Sequence, residues 1–435
     1  MLLGITGFVI IFVMVFLLLK EKAIPVSVFV FLPIAGALIN GFSITEIADF
    51  VSKGCSTVWP MAALFVFTVT YFDLMSDVGL FDKVVEKSVK IANGNVIGVL
   101  LAIFIIATVA SLAADSPSTY LITMVPLLPL VRKLNIRVTS AMLVTCMAIS
   151  VMNLLPWGGA VNRACITVGI DSAVMWKPLI PVQIFGWFCA LAGVFIIGAG
   201  EKKRGAGRQT ADDVVDTVNT AVSEEEAALK RPKLLWFNVL LTVVVFVLLF
   251  TTDLPNYFIF MCGCVLTLVV NYPNVQLQKE RINVHAEDSL ISVATVLSAG
   301  VLVGVLNNSG MIVAMADMII DFLPQALGPY LHLVFGFFGG FIGLGVNPDP
   351  LYYGLLPILI EVMANFGVSA ESVAYALMIG GDSCFTLSPV IAGTYMALTV
   401  SGLSYKEHMR RSLIPLWILG LLMLGFAMFI GLVTW

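Results

Sequence analysis

The sequence predicts an all-α polytopic membrane protein built as an inverted-topology repeat, with two re-entrant hairpins and two broken transmembrane helices. Of its 435 residues, 60% are hydrophobic and 11% are charged, and the mean hydropathy is +1.02. A soluble chain carries roughly 25% charged residues, so this composition is typical of a membrane protein. Paired polar breaks in the hydrophobic stretches and a one-sided distribution of Lys and Arg complete the prediction.

Two hydrophobic stretches repeat one another and carry polar breaks at corresponding positions. The first is AADSPSTYLITMVPLLPL (113–130), the second is GVNPDPLYYGLLPILIEV (345–362), and Pro126 corresponds to Pro357. Irregular backbone survives at membrane depth only where it is buried in protein or lines a wet cavity. Because paired breaks in two halves of a chain indicate a transporter's binding site, we expect re-entrant hairpins over 95–131 and 331–363.

Two crossing helices are also predicted to be broken. The segment MNLLPWGGAVNRACITVGI (152–170) corresponds to SCFTLSPVIAGTYMALTVSG (383–402), with Pro156 matching Pro389. Proline removes a backbone donor and clashes with the preceding turn, so each crossing is expected to be two half-helices joined by an unwound loop. Half-helix N-termini suit an anionic ligand. Simple Pro and Gly kinks remain the alternative.

The distribution of Lys and Arg predicts how the crossings are oriented in the membrane. Stretches long enough to cross a bilayer core of roughly 30 Å are predicted at 2–19, 24–40, 57–75, 139–170, 178–199, 234–250, 255–272, 289–306, 372–402 and 412–433. With both termini extracytoplasmic, every Lys and Arg lies in a cytoplasmic loop except Lys53, Lys177 and the intramembrane Arg163. This arrangement satisfies the positive-inside rule.

The predicted topology divides the chain into three parts. Residues 1–200 form the first inverted repeat, with five crossings and a hairpin that enters from the cytoplasm. The polar segment 201–233 is a cytoplasmic linker, with a short surface helix expected near 222–230. Residues 234–435 form the second repeat, with five crossings and a hairpin that enters from outside, because no Lys or Arg flanks it.

Arg163 is the strongest candidate for binding substrate. It follows Pro156 by seven residues inside a predicted crossing, where a charged side chain costs at least roughly 2.5 kcal/mol. A guanidinium binds a carboxylate through two parallel hydrogen bonds. A structural ion pair with Asp171 or another local carboxylate is the alternative.

Three aspartates are candidates for binding a metal ion or a proton: Asp115 and Asp349 at the hairpin tips, and Asp382 before the second unwound loop. Hard cations take carboxylate, carbonyl and hydroxyl oxygens, and burial favours the protonated carboxyl. Capping of a half-helix is the alternative role. Beside Arg163, the predicted substrate contacts are Ser116, Ser118, Thr119, Asn153, Gly158, Gly159, Asn347, Thr386, Ser388 and Thr394.

A resemblance to a known family rests on several longer runs. ALFVFTVTYFDLMSDVGLFDKVV (63–85), STYLITMVPLLPLVRKL (118–134), MNLLPWGGAVNRA (152–164), YYGLLPIL (352–359) and SPVIAGTYMALTVSGLSYKEHMRR (388–411) resemble the citrate-metal:proton symporters of the CitMHS family, within the ion transporter superfamily. The resemblance implies proton-driven uptake of citrate or a related di- or tricarboxylate, often chelated to a divalent cation. It also implies an elevator-type homodimer in a prokaryotic plasma (inner) membrane. The hairpin tips differ from the Gly- and Asp-rich tips usual in the family.

The predicted function is therefore secondary active transport, with no permanent cofactor and with Mg²⁺ or Ca²⁺ as part of the transported complex. A sodium-coupled carboxylate symporter and a cation/proton antiporter are the alternatives, and Arg163 disfavours the antiporter because it repels a cation. The chain lacks HExxH and GxSxG motifs, so no enzyme is expected. It also lacks a basic face for nucleic acid. Asp73, Asp77 and the three histidines are expected to be solvated or structural, with Lys83 a partner of the aspartates.

Overall fold

The computed structural model describes residues 2–20, 22–82, 95–113, 116–207, 229–252, 254–321, 327–345, 348–389 and 391–435. Within these ranges the regular elements are helical. The α-helices are α1 (Leu2–Leu19), α2 (Pro25–Ile39), α3 (Ile44–Asp77), α4 (Val96–Ala113), α5 (Ser116–Lys133), α6 (Val138–Met152), α7 (Gly159–Val168), α8 (Ser172–Trp176), α9 (Ile180–Lys203), α10 (Leu235–Thr251), α11 (Asn256–Asn271), α12 (Val275–Val284), α13 (Ala286–Asn308), α14 (Met311–Ile320), α15 (Leu331–Gly345), α16 (Leu356–Ala364), α17 (Ala370–Gly381), α18 (Ala392–Ser401) and α19 (Tyr405–Phe429).

Apolar helices dominate, as the composition predicts. In the described ranges, six helical segments have the length and apolar character to cross a membrane: Ile44–Asp77, Ser172–Lys203, Pro232–Leu249, Ser289–Asn308, Gly328–Gly345 and Tyr405–Phe429. The predicted span 57–75 is only the second part of α3, which has 34 residues. The helix starts earlier because Ser43 and Glu46 form a capping box at its N-terminus.

Two helices lie where the sequence analysis expected loops. The polar helix α12 begins after Asn274, whose side chain accepts a hydrogen bond from the Gln276 amide at 2.8 Å. The apolar helix α14 follows Gly310, which has a φ of 78°. α14 packs against α1, where Gly4 and Gly7 leave room for Met318 and Met315. The surface helix expected near 222–230 falls mostly outside the described residues.

The helix interruptions lie where the sequence places Pro156 and Pro389. α6 ends at Met152 and α7 begins at Gly159, with irregular backbone between them. α17 ends at Gly381 and continues as a 3₁₀ helix over Asp382–Leu387 before α18. Both interruptions place backbone polar groups and short polar side chains within the helical bundle.

The helices pack in two groups around these interruptions. α4, α6, α9, α15, α17 and α19 pack on one another, and α3 packs with α2, α11 and α13. Small residues bring backbones close in both groups, as in other membrane bundles. A Cβ added at Gly54 of α3 would lie 2.0 Å from the Gly300 oxygen of α13, and one at Gly380 would lie 1.8 Å from the Gly336 oxygen. The two groups therefore have tight interiors, and the large cavity lies between them.

Candidate substrate site

A cavity of about 1020 Å³ opens between the two helix groups. Its wall includes α3 and α13 on one side, and α5, the α6–α7 interruption and the start of the 3₁₀ helix on the other. Sites for small molecules typically have volumes of roughly 300–1,000 Å³. The cavity is large enough for a small carboxylate together with a metal ion and water.

Arg163 and Asp349 form an ion pair on the cavity wall. The Arg163 Nε atom donates to Asp349 Oδ1 at 2.6 Å, and the two side chains are 29% and 6% exposed. This contact joins α7 to the tip of the α15–α16 helix pair. Asp171, the alternative partner considered from the sequence, instead accepts a hydrogen bond from the Ala173 amide at 2.8 Å and caps α8.

Asn153 connects the two interrupted crossings. Its side-chain nitrogen donates to Asp382 Oδ2 at 2.7 Å, and its side-chain oxygen accepts from the Gly159 amide at 3.2 Å. Gly159 lies in the first turn of α7, and a Cβ added there would lie 2.6 Å from Arg163 Nη1. Two hydrogen-bonded groups, Asp382–Asn153–Gly159 and Arg163–Asp349, thus lie next to each other along the cavity.

The N-terminal turn of α5 supplies hydroxyl groups to the same cavity. Ser116, Ser118 and Thr119 line it together with Gly158. The Thr119 hydroxyl is enclosed and has no hydrogen-bond partner in the described part of the chain. Short hydroxyls beside helix N-termini suit carboxylate and metal-bound oxygen atoms.

Five predicted site residues are not placed on the cavity wall. Thr386, Ser388 and Thr394 are buried in protein around the second interruption and are absent from the wall. Thr394 donates to the Thr386 carbonyl at 3.1 Å, and Ser388 donates to the Leu344 carbonyl at 3.4 Å. Asp115 and Asn347 lie outside the described residues. Direct substrate contact by these five side chains stays a prediction.

A charged cluster that no local sequence pattern indicated lies at the end of α3. His285 Nε2 lies 2.9 Å from Asp77 Oδ2, and His285 Nδ1 lies 3.6 Å from Asp73 Oδ2. Burial opposes the charged form of His285, but the hydrogen bond and negative charges of Asp77 and Asp73 raise its pKa above the usual range. Arg281 also lies 3.7 Å from Asp77. Asp73 also lines the cavity. Asp73 and His285 lie far apart in the sequence, so no local pattern predicted their contact.

The carboxylates on the cavity wall do not form a protein metal site among the described residues. In the described ranges, no cluster of three or more His, Cys, Asp and Glu side chains is arranged to hold a metal. Asp349 and Asp382 line one cavity but do not form such a cluster.

Comparisons with known proteins identify the family. Residues 12–380 match the family model of the CitMHS citrate transporters. The chain belongs to the citrate transporter family. It is 32% identical to a citrate transporter of Bacillus subtilis (strain 168), over 94% of each chain. It is 31% identical to the Mg²⁺/citrate complex secondary transporter of the same organism, over 99% of each chain.

Membership in the citrate transporter family makes the chain a polytopic membrane transporter rather than an enzyme. A structural comparison supports the fold. The YdaH transporter of Alcanivorax borkumensis, whose crystal structure has an unusual topology, aligns with a TM-score of 0.59. The alignment covers 89% of this chain and 88% of that chain at 14% identity. At that identity the likeness concerns the fold alone.

Proposed function

We propose that this citrate transporter family member takes up citrate or a related di- or tricarboxylate as a divalent-metal complex, by proton symport. The observation that carries the proposal is the placement of Arg163 beside Asp349 and Asp382 on the wall of one cavity. A metal-free tricarboxylate would meet the negative charges of Asp349 and Asp382. Chelation of a divalent cation lowers the negative charge of the substrate and gives those carboxylates a favourable partner.

Each part of the site has a proposed role in binding. Arg163 binds a substrate carboxylate, because its guanidinium has donors beyond the Nε atom that contacts Asp349. Backbone amides in the first turns of α5 and α7, other than that of Gly159, bind further substrate oxygens. Asp382, and Asp349 after it releases Arg163, bind the metal ion or carry the proton, and Asp115 and Asn347 complete this site from the hairpin tips.

Alternating access follows from the proposed topology. The α4–α5 and α15–α16 helix pairs act as re-entrant hairpins of an inverted repeat, and they move with the interrupted crossings against the α3–α13 group, as in an elevator. The cavity extends to Ser76 and Asp82 beyond the middle of α3 and to Ser292 near the start of α13. The positive-inside distribution assigns these ends to the cytoplasm, which supports an inward-facing state.

The contact between Arg163 and Asp349 has a proposed role in this cycle. It holds the tip of the outer hairpin against α7 while the cytoplasmic side is open. A substrate carboxylate competes with Asp349 for the guanidinium, so substrate binding loosens the outer hairpin. Both termini are proposed to be extracytoplasmic, residues 201–233 cytoplasmic, and the protein a homodimer of the prokaryotic plasma membrane.

Uptake into proteoliposomes tests the function. Purified protein is reconstituted, and labelled citrate uptake is measured with and without Mg²⁺ or Ca²⁺, under separate proton and sodium gradients. We expect uptake that requires a divalent cation and follows the proton gradient. Uptake driven only by sodium would assign the alternative sodium symport, and cation exchange that ignores citrate would assign the antiport. Metal-independent uptake would contradict the proposed substrate complex.

A further inference from the structure

A second charged site lies away from the cavity, where α6 and α19 begin and α9 ends. The fully buried Glu201 carboxylate accepts hydrogen bonds from Arg137 Nε at 2.6 Å and from Ser140 Oγ at 2.8 Å. Arg204 Nε donates to the same carboxylate at 3.0 Å. Arg411 of α19 donates to Ser140 Oγ at 3.4 Å. We call these five residues the Glu201 cluster.

The Glu201 cluster carries more positive charge than its carboxylate neutralises. Three guanidinium groups surround one carboxylate, which leaves two positive charges within the cluster. The Glu201 carboxylate also accepts from the Arg137 amide at 3.3 Å and so caps α6. Its oxygens are therefore fully used by groups other than Arg411.

Arg411 is the group with unmet hydrogen-bonding capacity. Its Nε atom is enclosed, and no partner for it occurs among the described residues. The carboxylate nearest along α19, Glu407, accepts from the amide and hydroxyl of Ser404 at 3.0 and 2.6 Å, as part of a capping box. The enclosed Nε is out of reach of an outside ligand, whereas Arg411 as a whole is partly exposed. An oxyanion ligand would therefore bind its terminal nitrogen atoms and offset the excess positive charge of the cluster.

The surroundings of the cluster fit a lipid better than a free anion. Exposed apolar side chains begin within about two helical turns of the cluster. Phe195 and Ile196 on α9 are 46% and 73% exposed, and Ile414 and Ile418 on α19 are 50% and 47% exposed. α9 and α19 pack together, so acyl chains can lie along both helices while a head group meets the arginines.

We propose that the Glu201 cluster binds the phosphate group of an anionic lipid, with Arg411 as its principal ligand. Arg137 and Arg204 supply further positive charge, and their side chains are 43% and 35% exposed. Basic pockets between transmembrane helices are known to bind anionic head groups. The bound lipid links the starts of α6 and α19 to the end of α9. This site is independent of citrate transport.

Arg411→Gln and Arg410→Gln form a matched pair for the test. Each removes one positive charge from the first turns of α19, but Arg410 is exposed whereas Arg411 is partly buried at the cluster. Arg411→Gln leaves both guanidinium partners of Glu201 in place, so the full-length variant should fold. Lipid retention is measured by native mass spectrometry from micelles that contain equal amounts of phosphatidylglycerol and phosphatidylcholine.

Wild type and Arg410→Gln should retain phosphatidylglycerol preferentially. Arg411→Gln should lower that preference about five-fold, the factor equivalent to about 1 kcal/mol for one basic side chain near anionic lipid. If both variants lost the preference for phosphatidylglycerol equally, general surface charge would explain the binding, and the proposed site would be overturned. Absence of any preference in the wild type would overturn it whether or not a variant folds.

A comparison with inorganic phosphate distinguishes binding of a lipid from binding of a free anion. The thermal stability of the wild type is measured with phosphatidylglycerol, with phosphatidylcholine and with millimolar inorganic phosphate. Phosphatidylglycerol alone should raise the unfolding temperature, and Arg411→Gln should lose most of that rise. An equal rise with inorganic phosphate would overturn the assignment to a lipid.

Discussion

Among single residues, the position of the Arg163 guanidinium matters most for the proposed binding of substrate. Asp349 orients the guanidinium through its hydrogen bond with Nε. Nη1 lies against Gly159, where the absence of a side chain leaves room for it. The sequence marked Arg163 as a charge inside a crossing, but it did not identify the partner. Asp349 lies far along the chain, whereas the alternative partners considered from the sequence were Asp171 and other local carboxylates.

Replacing Arg163 with lysine tests the value of the guanidinium fork. Arg163→Lys keeps the charge but removes the planar donor pair, so the apparent affinity for citrate should fall by roughly one to two orders of magnitude. This corresponds to about 1.5–3 kcal/mol for a charged hydrogen bond. The measurement is uptake against citrate concentration, with exposed Arg410→Lys as the control. An unchanged affinity in a folded Arg163→Lys protein would make Arg163 structural.

Gly159→Ala tests the position of the same guanidinium. The added Cβ would lie 2.6 Å from Arg163 Nη1, so this flexible side chain has to move while the helix start is preserved. We expect normal expression and about a ten-fold rise in the citrate concentration that gives half-maximal uptake, or ~1.4 kcal/mol. Gly200→Ala is the control, since a Cβ there meets no atom within 4 Å. Equal kinetics in the two variants would refute this positioning role.

At the scale of elements, the sequence predicted best where helices occur and where two of them are interrupted. Long apolar runs and the matched prolines located most crossings and both breaks. α12 and α14 were missed because their sequences lie between stronger hydrophobic runs. The cluster at the end of α3 was also missed, because Asp77 and His285 are joined by tertiary packing rather than by any local spacing.

The contact between α3 and the α12–α13 junction should depend on pH. The folded-state pKa of His285 is raised, so its charged pair stabilises the fold fully below the unfolded pKa of about 6.5, and this contribution is lost as pH rises through the folded pKa. The loss of unfolding temperature caused by His285→Gln should therefore be larger at about pH 5.5 than at about pH 8.5.

Thermal unfolding of wild type and variant in one detergent measures this effect. Gln276→Asn is the control, because Gln276 is an exposed residue of α12 whose side chain does not titrate. A pH-independent difference between wild type and His285→Gln would show that the aspartates do not hold a charged imidazole.

At the scale of the whole molecule, the proposed metal–citrate substrate would bind in the cavity between the two helix groups. Composition predicted the helical membrane fold, and Pro156 and Pro389 predicted the two helix interruptions. The relation between the groups, the Arg163–Asp349 pair and the Glu201 cluster required three-dimensional packing. The central claim is that the aspartates of the cavity bind the metal of a metal–citrate complex.

The Mg²⁺ dependence of citrate uptake tests that claim most directly. Asp382→Asn keeps the side-chain shape but removes the negative charge, whereas Asp317→Asn makes the same change at an exposed position on α14. We predict that Asp382→Asn raises the Mg²⁺ concentration for half-maximal uptake about ten-fold, or ~1.4 kcal/mol, and that Asp317→Asn leaves it unchanged. An unaltered Mg²⁺ dependence in a folded, active Asp382→Asn protein would contradict the account.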